Sequence, residues 1–270
     1  MTSEGTAAEP IIGFSRVTKT FGTGYTALRD VDLTIRPQRF VALVGPSGCG
    51  KSTTLSLIAG LDAPSAGTVS VRGKPVAGIS DGVGFLFQRD ALLPWKTVRE
   101  NVGLPLLLRG IRGAAAQERS ADFIARVGLR GFEQRYPHEL SGGMRKRVAL
   151  AQTLVYDPEI LLMDEPFSAL DVQTRNLMED ELLALWQGSG KTVLFVTHDL
   201  EEAIALADEV VVMTAGPARV KAIYDVDLPR PRNVQEVRFD RRFVDLFAAM
   251  WNDLRDEVLE SYERSRQATQ

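Results

Sequence analysis

A glycine-rich segment near the start of the chain limits the fold more than any other feature. Residues 45–52 have the sequence GPSGCGKS, which fits the pattern G-x-x-x-x-G-K-[S/T]. The segment follows an apolar run typical of a strand covered on both faces, and it precedes a helical pattern. Glycines let backbone N–H groups turn inward around an anion, and the helix directs its positive end there. The sequence therefore predicts a phosphate-binding loop, here called the phosphate loop. In it Lys51 supplies a cation for the phosphates and Ser52 a hydroxyl for Mg²⁺.

Composition excludes several classes of protein. The 270 residues carry a net charge of −3, so no basic excess is available to hold nucleic acid by charge alone. No apolar run is long enough to span a bilayer, and the polar, acidic start lacks the features of a secretory signal. The single cysteine, Cys49, excludes an internal disulfide, and we expect it to fill space inside the phosphate loop. A reducing cytoplasm is the expected compartment.

The alternation of strand and helix patterns predicts an α/β fold with a mainly parallel sheet. Residues 11–35 predict two strands around a glycine-rich turn, and later apolar runs predict buried strands. Residues 97–137 have helical spacing and predict an inserted helical subdomain. An amphipathic stretch at 243–262 predicts a C-terminal docking helix. Asp199 and Glu202 form the pattern of a capping box at the start of another helix.

Titratable residues follow two of the predicted buried strands. Asp164 and Glu165 end the apolar run 160–163, and His198 follows the run that ends at Val196. Ligands of parallel sheets bind at the carboxyl ends of strands, where an aspartate can hold Mg²⁺ and a glutamate can polarise a water. The alternative for the acids is a strand cap at the surface. For His198, position alone leaves a phosphate contact and a structural role equally open.

A second glycine motif breaks a rule of helix chemistry. Residues 140–147 have the sequence LSGGMRKR, in which Ser141 is a good N-cap. Three cations then occupy the first turns of the helix, where the dipole disfavours positive charge. An anion bound at this end would resolve the conflict, and a solvated basic face is the alternative. The residues alone leave both open.

Taken in order, these motifs resemble the nucleotide-binding subunit of ATP-binding cassette (ABC) transporters over residues 11–225. Residues 140–143, here called the signature segment, resemble the family signature, and Asp164-Glu165-Pro166 its acidic motif. Residues 168–171 resemble its D-loop, Gln88 its Q-loop glutamine and His198 its switch histidine. Phe21 matches the aromatic residue that stacks on adenine, although tyrosine is commoner there.

The resemblance implies an ATPase that uses ATP and Mg²⁺, with each ATP held between two copies of the chain. It implies catalytic or phosphate-sensing roles for Lys51, Gln88, Glu165 and His198 and metal ligation by Ser52, Gln88 and Asp164. The nucleotide-binding residues that it implies are Phe21, Gly45, Pro46, Ser47, Gly48, Cys49, Gly50, Lys51, Ser52, Thr53, Ser141, Gly142, Gly143 and Asp171.

The family fold divides the chain into an expected set of domains. Residues 1–10 form a flexible tail, and 11–96 with 157–225 form a RecA-like ATP-binding core that carries an N-terminal antiparallel β subdomain. Residues 97–156 form the helical subdomain with the signature segment, and 226–270 form a C-terminal helical extension.

A finer resemblance concerns residues 87–95, FQRDALLPW, which are similar to importers of taurine, aliphatic sulfonates and nitrate. The resemblance implies a subunit that powers import of a small anionic solute at the cytoplasmic face of a bacterial membrane. The expected partners are permease subunits that contact the segment from Gln88 to Trp95, a second ATPase subunit in a homodimer, and indirectly a solute-binding protein. From the residues, exposed Leu92, Leu93 and Trp95 make an apolar contact for a permease helix, and a loop folded under its own subdomain is the alternative.

Two residues depart from the family pattern. Lys146 stands where glutamine is common, and Gln152 where arginine is common.

Three alternative functions remain open. An ABC ATPase of lipid traffic or export shares every catalytic motif. A cassette protein of DNA repair or translation is disfavoured by the single compact cassette. A small-molecule kinase with a phosphate loop leaves the signature segment unexplained.

Overall fold

The computed structural model describes residues 9–22 and 24–267 of the chain. The predicted tail, residues 1–10, lies outside this part except for Glu9 and Pro10, which are exposed. Among the described residues, no helix is both long and apolar enough to cross a membrane.

Strands and helices alternate along most of the chain, as predicted. The strands are β1 (Ile12–Thr20), β2 (Thr26–Ile35), β3 (Phe40–Val44), β4 (Ala66–Val71), β5 (Lys74–Pro75), β6 (Val83–Leu86), β7 (Ile160–Asp164), β8 (Thr192–Val196), β9 (Glu209–Met213) and β10 (Val220–Asp225). The α-helices are α1 (Lys51–Ala59), α2 (Val98–Leu108), α3 (Gly113–Arg126), α4 (Gly142–Leu154), α5 (Val172–Trp186), α6 (Leu200–Leu206) and α7 (Arg241–Gln267).

The described residues fall into two compact units. The first contains those up to Asp81, Lys191–Arg232 and those from Glu236 onward. The second contains Gly82–Gly190 and Asn233–Gln235. The division into core, helical subdomain and C-terminal extension stays a prediction.

An antiparallel sheet with the strand order β2-β1-β4-β5 lies in the first unit. Ile12 of β1 pairs with Ile35 of β2, and Phe14 pairs with Leu33. Along β2, Val31, Leu33 and Ile35 are buried whereas the residues between them are exposed. This is the period of a strand with one covered face, as the sequence predicted.

A second set of strands in the first unit is mainly parallel. β3 pairs in parallel with both β8 and β9, and β10 pairs with β9 in the antiparallel direction. Every residue of β3 and of β8 is buried, because both faces of these strands are covered. The carboxyl ends of β3 and β8 therefore lie at one edge, where the phosphate loop and His198 follow.

The second unit combines the parallel pair β6–β7 with helices α2 to α5. Helix α2 begins at a reciprocal capping box, in which Thr97 Oγ1 accepts from Glu100 N and Glu100 Oε2 accepts from Thr97 N at 2.8 Å. Helices α2, α3 and α4 share an apolar core, whose members include Val98, Val102, Leu106, Ile124, Val148, Ala151 and Val155.

The predicted C-terminal helix is α7, which packs within the first unit. Phe243, Met250 and Leu254 are buried on one side of it. The structure contains one half of the capping box predicted for α6, the cap by Asp199. Asp199 Oδ1 accepts from the N–H groups of Glu201 and Glu202, but the Glu202 carboxylate accepts from the Thr197 hydroxyl.

Candidate nucleotide-binding site

The phosphate loop joins β3 to α1, and two of its glycines have backbone angles that favour glycine. Gly48 has φ 74° and Gly50 has φ 119°. A Cβ on Gly50 would lie 2.8 Å from Leu28 Cδ2 and 3.0 Å from the carbonyl oxygen of Ala27. Space and backbone angle together therefore require glycine immediately before α1.

Lys51 is the first residue of α1 and is only 5% exposed. Its Nζ donates to the carbonyl oxygens of Gly45 at 2.8 Å and Pro46 at 2.9 Å, so the ammonium lies inside the curl of the loop. Neutral carbonyls do not cancel its charge. The positive end of α1 adds to it, and the loop can attract an anion.

The other loop residues divide into exposed and buried ones. Ser47, Gly48 and Ser52 are exposed, and Thr53 is half-buried. Cys49 is buried, and this burial raises the pKa of its thiol above the usual value. A buried thiol with a raised pKa is a poor nucleophile, in keeping with its predicted space-filling role.

Phe21 directly follows β1 and is partly exposed. It belongs to a small aromatic group. Its ring stacks on Tyr25 with 6.4 Å between centroids, and Lys19 Nζ lies 5.0 Å from the ring centre. The Tyr25 hydroxyl donates to the carbonyl oxygen of Gly48 at 2.9 Å. Tyr25 was not among the predicted site residues, although a second aromatic residue in the same glycine-rich turn was a usable signal.

His198 follows β8 and is exposed beside the phosphate loop. Both line a cavity of about 310 Å³ within the first unit. Helix α7 forms another wall of this cavity, which the sequence did not predict. The lining residues are Gly45, Pro46, Ser47, His198, Leu254, Val258, Ser261 and Tyr262.

In the second unit, β7 carries the predicted acidic pair. Asp164 and Glu165 are half-buried, and Glu165 has φ 43°, a left-handed angle that a non-glycine residue seldom adopts. Gln88 Nε2 lies 3.4 Å from Glu165 Oε2, so the structure brings these two predicted residues together. Backbone strain of this kind is concentrated at functional sites.

The signature segment leads into α4. Ser141 is the N-cap and its hydroxyl oxygen accepts from the N–H of Met144 at 3.3 Å, as predicted. A Cβ on Gly143 would lie 2.8 Å from Thr174 Cγ2, so close packing against α5 also explains this glycine. The nearby Asp171 caps α5 by accepting from Thr174 N at 3.0 Å, which lowers the pKa of the Asp171 carboxyl.

The three cations at the start of α4 have carboxylate partners. Arg145 and Lys146 lie 3.4 and 3.0 Å from Asp90, and Arg147 lies 2.7 Å from Glu181. The alternative of a solvated basic face does not hold for Lys146, which is buried, whereas Arg145 and Arg147 are partly exposed. The conflict with the helix dipole is offset by the protein's own acids, so it does not by itself require a bound anion.

The segment after Gln88 is less exposed than predicted. Trp95 is 70% exposed, but Leu92 and Leu93 are half-buried. Leu92 packs against the apolar core of α2, α3 and α4. The expectation of three exposed apolar residues is therefore right for Trp95 and wrong for the two leucines.

A phosphate loop between a buried parallel strand and a helix defines a nucleotide-binding protein of the P-loop class. Residues 28–168 match the family model of the ABC transporter, and the chain belongs to this family. The predicted fold class, ATP binding and ATPase activity are thereby confirmed.

Known relatives extend over most of the chain. It is 49% identical over 240 residues to an uncharacterized ABC transporter ATP-binding protein of Methanocaldococcus jannaschii, covering 89% of this chain and 88% of that one. It is 43% identical to a taurine import ATP-binding protein of Burkholderia pseudomallei, covering 87% and 92%. The predicted resemblance to nitrate, sulfonate and taurine import proteins is confirmed.

Among solved structures, the chain is similar to a dimeric ATP-binding cassette in a post-hydrolysis state bound to ADP and Pi. The TM-score is 0.72 at 33% identity, covering 81% of this chain and all of that one. The similarity therefore includes both fold and sequence.

Proposed function

We propose that this protein is the ATP-hydrolysing subunit of an importer for a small anionic solute such as a sulfonate, taurine or nitrate. The observation that carries the proposal is the similarity to a taurine import protein over 87% of this chain and 92% of that one. The segment that ends in exposed Trp95 is the second support. The protein acts at the cytoplasmic face of a bacterial membrane.

ATP binding uses the phosphate loop and the aromatic group at Phe21. Lys51 exchanges its two carbonyl acceptors for phosphate oxygens, and backbone N–H groups of the loop donate to the same phosphates. Phe21 stacks on the adenine, since its ring is partly exposed beside Tyr25. The full set in the loop is Gly45, Pro46, Ser47, Gly48, Cys49, Gly50, Lys51, Ser52 and Thr53.

Hydrolysis uses Glu165, Gln88 and His198. Glu165 orients and polarises the attacking water. Gln88 lies beside this carboxylate and, with His198, contacts the terminal phosphate. Both Gln88 and His198 are exposed and are therefore accessible to an incoming ligand.

The donors of Ser52, Gln88 and Asp164 fit Mg²⁺, because hydroxyl, amide and carboxylate oxygens are the hard ligands that it prefers. Ser52 is exposed at the start of α1, and Asp164 is half-buried at the end of β7. When bound with ATP, Mg²⁺ supplies positive charge to the phosphate oxygens.

The complete site requires a second copy of the chain. Ser141, Gly142, Gly143 and Asp171 of that copy close over the ATP held by the phosphate loop. Ser141 is exposed at the start of α4, with its hydroxyl oxygen at the positive end of the helix. The relative with bound ADP and Pi is itself described as dimeric.

The permease contact lies in the segment from Gln88 to Trp95, where the large exposed indole of Trp95 provides apolar surface. The experiment is purification of the tagged protein from membranes, followed by ATPase assays of the complex with a solute-binding protein and taurine, an alkyl sulfonate or nitrate. We expect a permease to co-purify and one of these solutes to stimulate hydrolysis.

Trp95→Ala is expected to lose the permease, whereas Trp251→Ala, which removes an exposed indole from α7, keeps it. Stimulation by lipid, with none by any of the three solutes, contradicts the proposal and favours the alternative, an ABC ATPase of lipid traffic or export.

A further inference from the structure

Lys146 of α4 is a buried cation whose contacts the family resemblance does not explain. It is 4% exposed. Its Nζ donates to the backbone carbonyl oxygen of Gln88 at 2.6 Å and lies 3.0 Å from Asp90 Oδ1. The resemblance places glutamine here, a neutral side chain one atom shorter. This chain instead uses a charge to hold the segment that contains Gln88.

The burial of Lys146 makes its partners necessary. A buried ammonium is strongly unfavourable unless it is paired and hydrogen-bonded. The Asp90 carboxylate balances the charge, and the Gln88 carbonyl accepts one of its N–H groups. The ion pair therefore limits where the backbone of Gln88 can lie relative to α4.

A second set of hydrogen bonds fixes the same segment a few residues further along the chain. Asn101 of α2 is fully buried, and its Nδ2 donates to the carbonyl oxygens of Leu93, Lys96 and Thr97. Its Oδ1 accepts from Leu93 N at 2.8 Å. The segment is thus attached to α4 near Gln88 and to α2 near Trp95.

We propose that Lys146 is a positioning residue for ATP hydrolysis, which fixes Gln88 beside Glu165 and ties that position to the signature helix α4. The inference rests on the proposed roles of Gln88 and Glu165. Gln88 Nε2 lies 3.4 Å from Glu165 Oε2, so a shift of the Gln88 backbone changes this contact directly. The contacts of Lys146 therefore join α4 to the backbone of the residue that lies beside the Glu165 carboxylate.

The test compares Lys146→Met with Arg147→Met in the full-length protein. The two residues are neighbours on α4, and each makes one ion pair and one bond to a backbone carbonyl. Arg147 contacts Glu181 and Val127, far along the chain from Gln88. ATP turnover, the Kd of a fluorescent ATP analogue and thermal stability are measured for both.

We expect Lys146→Met to lower kcat about tenfold and to leave the Kd within about twofold, since Lys51 and Phe21 are unchanged. Arg147→Met is expected to keep kcat within about twofold. Equal loss of kcat in both variants, or wild-type turnover in Lys146→Met, overturns the inference.

A second variant covers the case in which Lys146→Met does not fold. Lys146→Met with Asp90→Asn removes the charges of both partners, so the Asp90 carboxylate is not left facing an apolar side chain, and is expected to show the same loss of kcat. Arg145, which also lies 3.4 Å from Asp90, is partly exposed and keeps its bond to the Leu140 carbonyl. Wild-type turnover in the double variant also overturns the inference. Glu165→Gln is measured in parallel. If it keeps the wild-type rate, the proposed role of Glu165 fails, whereas an inactive Glu165→Gln beside a fully active Lys146→Met rejects only the role of Lys146.

Discussion

The Glu257 carboxylate of α7 accepts a hydrogen bond from the backbone N–H of Ala215 at 2.7 Å. Ala215 lies in the turn after β9, and a Cβ on the adjacent Gly216 would be 4.0 Å from the Cα of Cys49 in the phosphate loop. Lys221 Nζ also pairs with Glu257 at 2.8 Å. Helix α7 is therefore hydrogen-bonded to the turn that packs against the phosphate loop.

Glu257→Ala is expected to destabilise the protein by about 1–3 kcal/mol, because it leaves the Ala215 N–H and the Lys221 ammonium without this acceptor. The Glu257 side chain is 12% exposed, so water cannot readily take its place as a hydrogen-bond acceptor. Urea unfolding measures the change. Glu260→Ala is the control, since its pair with Arg264 is half-exposed and contributes about 0–1 kcal/mol. Equal destabilisation by both substitutions contradicts the expectation.

We expect the Tyr224 hydroxyl to lower the free energy of unfolding at high pH. Burial, with the hydrogen bond from the hydroxyl to Asp253 Oδ2 at 2.5 Å, raises the Tyr224 pKa to about 12. An unfolded tyrosine titrates near pH 10. Because the folded pKa is the higher one, this contribution is complete below about pH 10 and is lost as the pH rises toward 12. Chemical unfolding across this range is expected to show a smaller alkaline loss for Tyr224→Phe. Identical pH profiles reject the assignment.

Gly50→Ala is expected to weaken ATP binding about tenfold or more. The new Cβ would meet Leu28 Cδ2 and the Ala27 carbonyl, so the start of α1 must shift with Lys51. Gly73→Ala is the matched control: Gly73 also has a left-handed φ of 69°, but nothing lies within 4 Å of its Cβ position. That variant carries backbone strain alone, about 1 kcal/mol. Titration with ATP separates the two, and equal Kd values are the contrary result.

Glu165→Gln is expected to lower ATP turnover about 100-fold or more while ATP binding persists, because the amide cannot accept the proton of the attacking water. ATP-dependent dimers are expected to accumulate and are measured by size-exclusion chromatography. Glu118→Gln removes an exposed carboxylate of α3 and serves as the control. Wild-type turnover in Glu165→Gln removes this residue from the proposed mechanism.

Phe21→Ala is expected to raise the Kd for ATP about fivefold, in line with an aromatic stack of about 1 kcal/mol. Phe21→Tyr keeps a ring and is expected to bind normally. Phe239→Ala removes a ring that is 88% exposed elsewhere in the first unit, and leaves the Kd unchanged. A normal Kd in Phe21→Ala assigns adenine binding to another residue.

Local features were predictable from the sequence because their causes are local. The left-handed backbone angles of the phosphate-loop glycines, the N-cap at Ser141 and the alternation in β2 depend on local conformation and on residues a few positions away. The buried strands β3 and β8 were likewise predicted from short apolar runs. The same kind of apolar run indicated Asp164 and Glu165 at the end of β7, and the family motifs then implied their roles.

The tertiary structure alone decided the long-range contacts. The bond from Lys146 to Gln88 joins residues 58 positions apart, and the pairing of the α4 cations with Asp90 and Glu181 has no signal in the local pattern. The position of α7 beside the phosphate loop is of the same kind. Side chains distant in sequence meet only when the packed core has fixed the backbone, because ion pairs and cavities depend on distances that a linear pattern does not contain.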